Sequence, residues 1–470
     1  MEVLRSPASA APACTAALQS LHGHADDFDV ASVVKLVVGT LRLHASEAAL
    51  QCAGYVVLDE VARKDDANKA AIIREGGLEV VVAAMDTLRS AADVQTCACS
   101  LLRALALDSG NRARIGAAGT TRVVAAAMRA HSGASELQLR GCQVFQPIVY
   151  KISNIPMFFA EGGFVEVSRA LLDHRGHLGV VKSALDVLYF VVEDVADHVT
   201  DDAPLLERLQ VGVVGVMAAF PDDAEVQSHS IAVISTLSAG AVEAAAAAGA
   251  APGDSAASFP PWLPAVAGAG ALSRLAGAMT AVADNGERML EAVGLVAMLL
   301  SDPRCTDLIR ESEGGRALGA ARDAMRAALG QAGGGSEAEE RWTSDGLDGK
   351  FEVLLKDCPD LPDAEHGGGG SDGSGGSGGS GGDGGSGNNG KAGNAGNDGD
   401  IDGECKNKAD PTRSARTGEG GEQGGAKEGA ATGARGGGSA RGGAAARAAA
   451  AAAAVPASRR SARATCPSRR

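Results

Sequence analysis

Aromatic side chains are scarce: Trp, Tyr and Phe together make up 3% of the 470 residues. Sandwich and barrel cores lean on such rings and on β-branched alternation. Here a 45% hydrophobic share is carried mainly by Ala, Val and Leu, which points to closely packed helices of small residues. Strongly apolar runs are also missing. The longest candidate, "IAVISTLSAGAVEAAAAAGAAP" over residues 231–252, is mostly Ala and Gly and contains Glu243, so no membrane span is expected. Paired cysteine spacing is absent too. Nine cysteines, an odd number, are scattered along the chain without a C-x-x-C pair, and most sit in helical apolar patterns where a thiol acts as a small hydrophobe. A reducing compartment is the expected setting, the cytoplasm first and the nucleus second. The opening residues lack the continuous apolar core of a secretory signal, and Glu2 stands where myristoylation requires Gly.

Positive charge is short in most of the chain. The net charge is −15, divided as −19 over residues 1–365 and +4 over residues 366–470. An acidic body repels phosphates, so duplex DNA is not an expected partner. Motifs for catalysis are missing as well: there is no P-loop, no G-x-S-x-G and no H-E-x-x-H. "DHRGH" brings His174 and His177 beside Asp173, and "LHGHADD" brings His22 and His24 beside Asp26 and Asp27. Neither has cysteines at ligand spacing or a matching second half, so both read as turn residues. No catalytic, metal-ligating or cofactor-binding residues are expected, and the chain reads as non-enzymatic.

What the sequence does contain is a period. Asn68, Asn111 and Asn154 are separated by 43 and 43 residues, as are Gly76, Gly119 and Gly162, and Val94, Leu137 and Val180. Three markers on one period, with helical spacing between them, are the signature of two- or three-helix repeat units. The Asn is expected to cap a short first helix. The glycines of "EGGL", "AAGT" and "EGGF" supply a positive φ where one helix ends and the next begins. Leu78, Val81, Val82 and Met85 form one apolar stripe on the second helix. In "ADVQTCACSLLRALAL" the third helix buries Val94, Ala98, Leu101, Leu102 and Leu105, with small residues recurring at Ala98, Gly141 and Ala184 for close packing.

"NKAAIIREGG" followed by "DVQTCA" resembles the armadillo repeat, whose pattern runs N-x-x-x-I-x-x-x-G-G and then V-Q-x-x-A in the third helix. The V-Q step recurs as Leu50-Gln51, Val94-Gln95, Leu137-Gln138 and Val226-Gln227, and the likeness is strongest over residues 26–192. The resemblance implies an all-α, right-handed α-solenoid of about six three-helix repeats over residues 26–362. Residues 1–25 would precede it as an extension, a loop would be inserted at about 240–266, and 336–358 would close its end. The HEAT repeat is the alternative, separated by the short first helix before the glycines.

The resemblance also implies a concave groove lined by third helices that binds extended or helical peptide segments of other proteins. By helix position the candidate groove residues are Glu60, Arg103, Arg140, Gln143, Gln146, Asp186, Tyr189, Phe190 and His229. Nuclear-import adaptors of the family carry Asn ten residues after the V of V-Q and Trp four residues before that Asn. Here the Asn step holds Glu60, Ala104, Pro147, Phe190 and Thr236, and the Trp step holds Val56, Ser100, Gln143, Asp186 and Ala232. Both ladders are missing, so a scaffold or adaptor of another kind is expected. Pro147 lies inside the third helix of its unit and is expected to kink it.

Residues 363–470 are rich in Gly and Ala and cannot bury enough apolar surface to offset backbone ordering, so a disordered tail is expected. From Arg435 onward it has eight Arg and no acid, with RGG at Arg435 and Arg441. RNA association through this tail is the alternative function. Docking of the basic tail on the acidic body is a further expectation from the opposite charges.

Overall fold

The computed structural model describes residues 1–356 and 358, apart from 7–9, 25–27, 200–201, 248–258 and 333–334. The tail, with both RGG tripeptides, and the pair Asp26–Asp27 lie outside the described residues. Among the described residues every regular element is a helix, and none is long and apolar enough to cross a membrane.

The helices fall into triplets of short, middle and long. After α1 (Glu2–Arg5) and α2 (Ala11–Leu21) come the pair α3 (Val30–Leu43) and α4 (Ala48–Lys64). Three triplets follow: α5 (Asp66–Arg74), α6 (Gly77–Thr87), α7 (Ala92–Leu107); α8 (Arg112–Ala117), α9 (Thr120–Ala130), α10 (Ser135–Val149); α11 (Ile155–Ala160), α12 (Gly163–Asp173), α13 (Leu178–Val191). Two more continue the series: α14 (Val195–His198), α15 (Ala203–Ala219), α16 (Ala224–Ala247); α17 (Leu263–Gly268), α18 (Ala271–Ala281), α19 (Gly286–Ser301). The described chain ends with α20 (Pro303–Gln331), α21 (Glu337–Ser344) and α22 (Leu347–Lys356). Each long helix packs on the next, from α4 through α7, α10, α13, α16 and α19 to α21, and the middle helices α3, α6, α9, α12, α15 and α18 pack in the same order. One apolar cluster runs through them from Leu4 to Leu354.

The turn from short to middle helix depends on glycine. Gly76, Gly119, Gly162 and Gly270 precede α6, α9, α12 and α18 with φ of 83°, 76°, 84° and 76°, where a Cβ would crowd the backbone. In α20 the same feature divides one long element: Gly314, at φ 70°, separates a short from a middle segment. At two of these turns the Glu before the glycine reaches back to the preceding unit. Glu161 accepts from the Arg122 N–H at the start of α9 (2.9 Å), and Glu313 accepts from Leu272 N (2.9 Å), Ser273 N (2.8 Å) and Ser273 Oγ (2.5 Å) at the start of α18. A carboxylate here satisfies orphan N–H groups and meets the positive end of the helix dipole.

The glutamine of the V-Q step proves to be a clamp. Nε2 of Gln51, Gln95, Gln138 and Gln227 donates to two carbonyls at the end of the middle helix, ten and seven residues earlier. For Gln95 these are Met85 (3.1 Å) and Leu88 (2.9 Å), and for Gln138 they are Met128 (2.9 Å) and His131 (3.0 Å). Each amide thus closes a turn by supplying a donor to both carbonyls, the second of which also accepts the backbone N–H three residues on, as Leu88 does from Ala91 (3.0 Å). Val181 takes this step in α13 and has no amide to offer.

The asparagine marker acts in the opposite sense to the cap expected from sequence. Asp65 caps α5, and neither Asn111 nor Asn154 makes a side-chain cap. Instead the Nδ2 groups of Asn68, Asn111 and Asn154 donate backward to Val61 (3.1 Å), Leu105 (3.3 Å) and Ile148 (3.1 Å) near the end of the preceding long helix. The amide has both donor and acceptor, and here carbonyls in the last turns of the preceding helix take the donor.

Small residues bring the middle and long helices together: a Cβ on Gly141 would sit 2.5 Å from the Met128 sulfur, and one on Gly54 would overlap Leu41. Pro147 stands within the last turn of α10, which runs through it to Val149. Two expected boundaries move. Residues 1–25 include α2, whose Cys14, Leu18 and Leu21 are buried against the body. The loop expected at about 240–266 is narrower, since α16 extends to Ala247 and α17 starts at Leu263 after the buried Trp262. Alanine is the best helix former, so the Ala-rich part of the insertion continues the helix. At the other end Trp342 of α21 is fully buried and stacks on Phe351 of α22 (ring centroids 5.9 Å apart).

Candidate functional site

In α4, α7 and α10 the V-Q step is buried, and residues three, six and nine places after its first residue come to the opposite, partly open side; in α13 Asp186 and Tyr189 and in α16 His229 do the same, while Ser183, Ala232 and Ser235 are buried. The nine residues picked from helix register divide there into two groups and one outlier.

The first group is an aromatic chain that crosses four long helices. Tyr150, just past α10, lies 4.3 Å (centroid to centroid) from Phe190 of α13. Phe190 meets Tyr189 edge-on at 5.7 Å, and Tyr189 stacks on His229 of α16 at 4.9 Å and 15°. Arg288 of α19 closes the row: its Nη2 donates to the Tyr189 hydroxyl (2.9 Å), its guanidinium lies 5.1 Å from the ring centre, and Nη1 pairs with Glu291 (2.6 Å). Asp186 accepts from the Tyr150 hydroxyl (3.1 Å), with the Gln146 side chain nearby. Burial pushes the Asp186 carboxyl up, while the same burial holds His229 below the ordinary imidazole value. Arg112 also lies over the Tyr150 ring, 5.7 Å from its centre.

The second group is basic and lies on α4, α7 and α10. Arg63 pairs with Asp59 (2.6 Å). Arg140 pairs with Glu136 (2.7 Å) and donates to Gln143 (3.3 Å). Arg103 stands half-buried between them. Glu60 belongs to neither group, because it accepts from the Gly23 N–H (2.9 Å) and pairs with Lys64 (3.4 Å), tying the segment after α2 to α4.

Register therefore found seven of the residues in these two groups together with Gln143, and missed Tyr150, Arg288, Glu291, Arg112, Asp59 and Arg63. Tyr150 carried a signal, since it is one of only three tyrosines in the chain. Arg288 carried none, because it occupies the step that holds Val or Leu in the earlier units, where an apolar side chain is expected. Two half-buried thiols, Cys52 and Cys97, lie beside the basic group on α4 and α7 and are free. A hydrogen bond from Cys52 holds the Cys97 thiol below its ordinary value.

The histidines of "DHRGH" serve the architecture. His174 Nε2 hydrogen-bonds the Ser132 carbonyl (2.7 Å), as His131 does with Arg89 (2.8 Å) one unit earlier, and His177 caps α13 by accepting from Val180 N (3.3 Å). Among the described residues no three His, Cys, Asp or Glu side chains cluster in a way that would hold a metal ion.

No family model and no curated protein matches the chain. Solved structures of two engineered proteins are similar in part. One is 20% identical with a TM-score of 0.40, over 51% of this chain and 96% of its own. The other is 16% identical with a TM-score of 0.42, over 76% of this chain and 96% of its own. Likeness at this level carries no argument about family or function. The class defined by the helices themselves is an all-helical protein of recurring, serially packed units.

Proposed function

We propose that the chain is an armadillo-like, right-handed α-solenoid whose long helices line a groove, and that it works there as a non-enzymatic scaffold or adaptor holding an extended or helical segment of another protein. The observation that supports this reading best is the aromatic chain from Tyr150 to Arg288. Rings and a guanidinium held in place by each other supply contact area with little ordering cost on binding, as buried anchor residues of interfaces do. The unit pattern N-x-x-x-I-x-x-x-G-G with V-Q supports the family, and the absent Asn and Trp ladders separate it from nuclear-import adaptors. Free thiols favour a reducing compartment, cytoplasmic or nuclear.

Quantitative affinity capture with the full chain and with Tyr189→Ala/Phe190→Ala tests this. Partners bound in the groove should drop at least about tenfold with the double variant, the scale of losing one hot-spot anchor. Recovery of the same partners at the same levels, from a variant whose helix content is unchanged, rejects the groove.

A further inference from the structure

Arg103 has no hydrogen bond and no ion pair among the described residues, although its guanidinium is half-buried. Nearby carboxylates are already engaged: Asp59 with Arg63 (2.6 Å) and Glu136 with Arg140 (2.7 Å). Burial disfavours the charge on Arg103, and the like charges of Arg140 and Arg63 add to it, with Asp59 alone opposing. The second oxygen of Asp59, Oδ1, is buried and lacks any donor. Three guanidiniums from three successive long helices thus surround two carboxylates, leaving one cation uncompensated and one acceptor unfilled. A half-buried cation whose nearest carboxylate is already taken by Arg63 is what an anion site looks like before its ligand supplies the missing charge.

We propose that Arg103 anchors a carboxylate of an acidic partner segment laid across α4, α7 and α10. The occupant is a peptide rich in Asp or Glu, chosen by charge complementarity with Arg63, Arg103 and Arg140. A guanidinium offers two parallel N–H donors to a carboxylate, a geometry that Gln on the same peptide cannot match. The surrounding body is acidic, so a positive spot within it fixes the register of a negative side chain better than a uniformly basic surface would. This inference rests on the groove reading above and names the chemistry of what the groove holds.

The test is fluorescence anisotropy with the full-length chain and three labelled dodecapeptides: alternating Glu and Ala, the same with Gln for Glu, and the same with phosphoserine for Glu. Because the basic tail also attracts acidic peptides, the comparison is among variants that all retain it. Arg103→Glu and Arg103→Gln should each weaken the Glu peptide at least about tenfold, the scale of a charge-assisted hydrogen bond, while Arg114→Glu on α8 stays within about twofold. The Gln peptide should bind more weakly and show no dependence on Arg103. A phosphoserine peptide that alone depends on Arg103 would replace the carboxylate by a phosphate and overturn the proposal as stated, as would equal binding of the Glu peptide by Arg103→Gln and the unaltered chain. If capture of partners needs Tyr189 and Phe190 but not Arg103, this inference falls and the groove reading stands; Arg103-dependent Glu binding without any effect of the aromatic pair gives the reverse.

Discussion

At the scale of single residues, the same side-chain type has different chemistry according to depth. Burial pushes the Cys99 and Cys142 thiols up to about 12, whereas Cys97, half-open and bonded by Cys52, lies below its ordinary value. With limiting iodoacetamide near neutral pH, Cys97 should be the first of these to alkylate in the folded chain and Cys99 and Cys142 the last, which peptide mass spectrometry reads directly. Asp186 and His229 titrate with opposite consequences. Asp186 has a folded value raised above 3.8, so its contribution to stability is complete below 3.8 and is lost as pH rises through the folded value. His229 is depressed below 6.5, so its contribution is complete above 6.5 and is lost as pH falls toward the folded value. Asp186→Asn should therefore gain denaturation midpoint relative to the unaltered chain at pH 7 and lose that advantage at pH 3.5. A difference between the two chains that is independent of pH would count against a buried, raised carboxyl at this position.

Helices and turns were legible from the sequence to different degrees. The αL glycines were readable because only glycine adopts φ near +80° without strain. A Cβ on Gly119 would meet nothing nearer than the Arg122 side chain at 3.9 Å, so Gly119→Ala isolates that strain and should cost about 1–2 kcal/mol in urea unfolding. The V-Q step was readable as a pattern, but its purpose was not, since nothing in local sequence says that an amide must reach carbonyls ten and seven residues back. Gln95→Leu keeps the volume and strands the Met85 carbonyl, while Leu88 keeps its bond from Ala91, so a loss of about 1–2 kcal/mol is expected from the chemical denaturation midpoint. A loss below about 0.5 kcal/mol would mean that water replaces the clamp. The Asn marker shows how position and role come apart. Its period of 43 located Asn68, Asn111 and Asn154 correctly, while the direction of the hydrogen bond depended on the preceding helix ending within reach.

On the scale of the whole described chain, serial packing makes stability a property of neighbours. Trp342 and Phe351 close the last unit, and Trp342→Ala should cost about 3–5 kcal/mol locally. Hydrogen exchange should then quicken in α18 to α22 while α5 to α10 keep their protection; uniform acceleration over all helices would show instead that the units unfold as one. Sequence alone determined the helical class, the 43-residue period and the register of each long helix, because apolar spacing and glycine are local signals that survive without knowledge of neighbours. Tertiary structure alone decided which outward residues meet. Arg103 and Arg140 look alike in sequence, yet Glu136 lies one helical turn from Arg140 and pairs with it, while the acid nearest Arg103 is committed to Arg63 on another helix. Pairing between units depends on how far successive helices are offset and rotated, and that is set by the packing of buried side chains rather than by the sequence of any one unit.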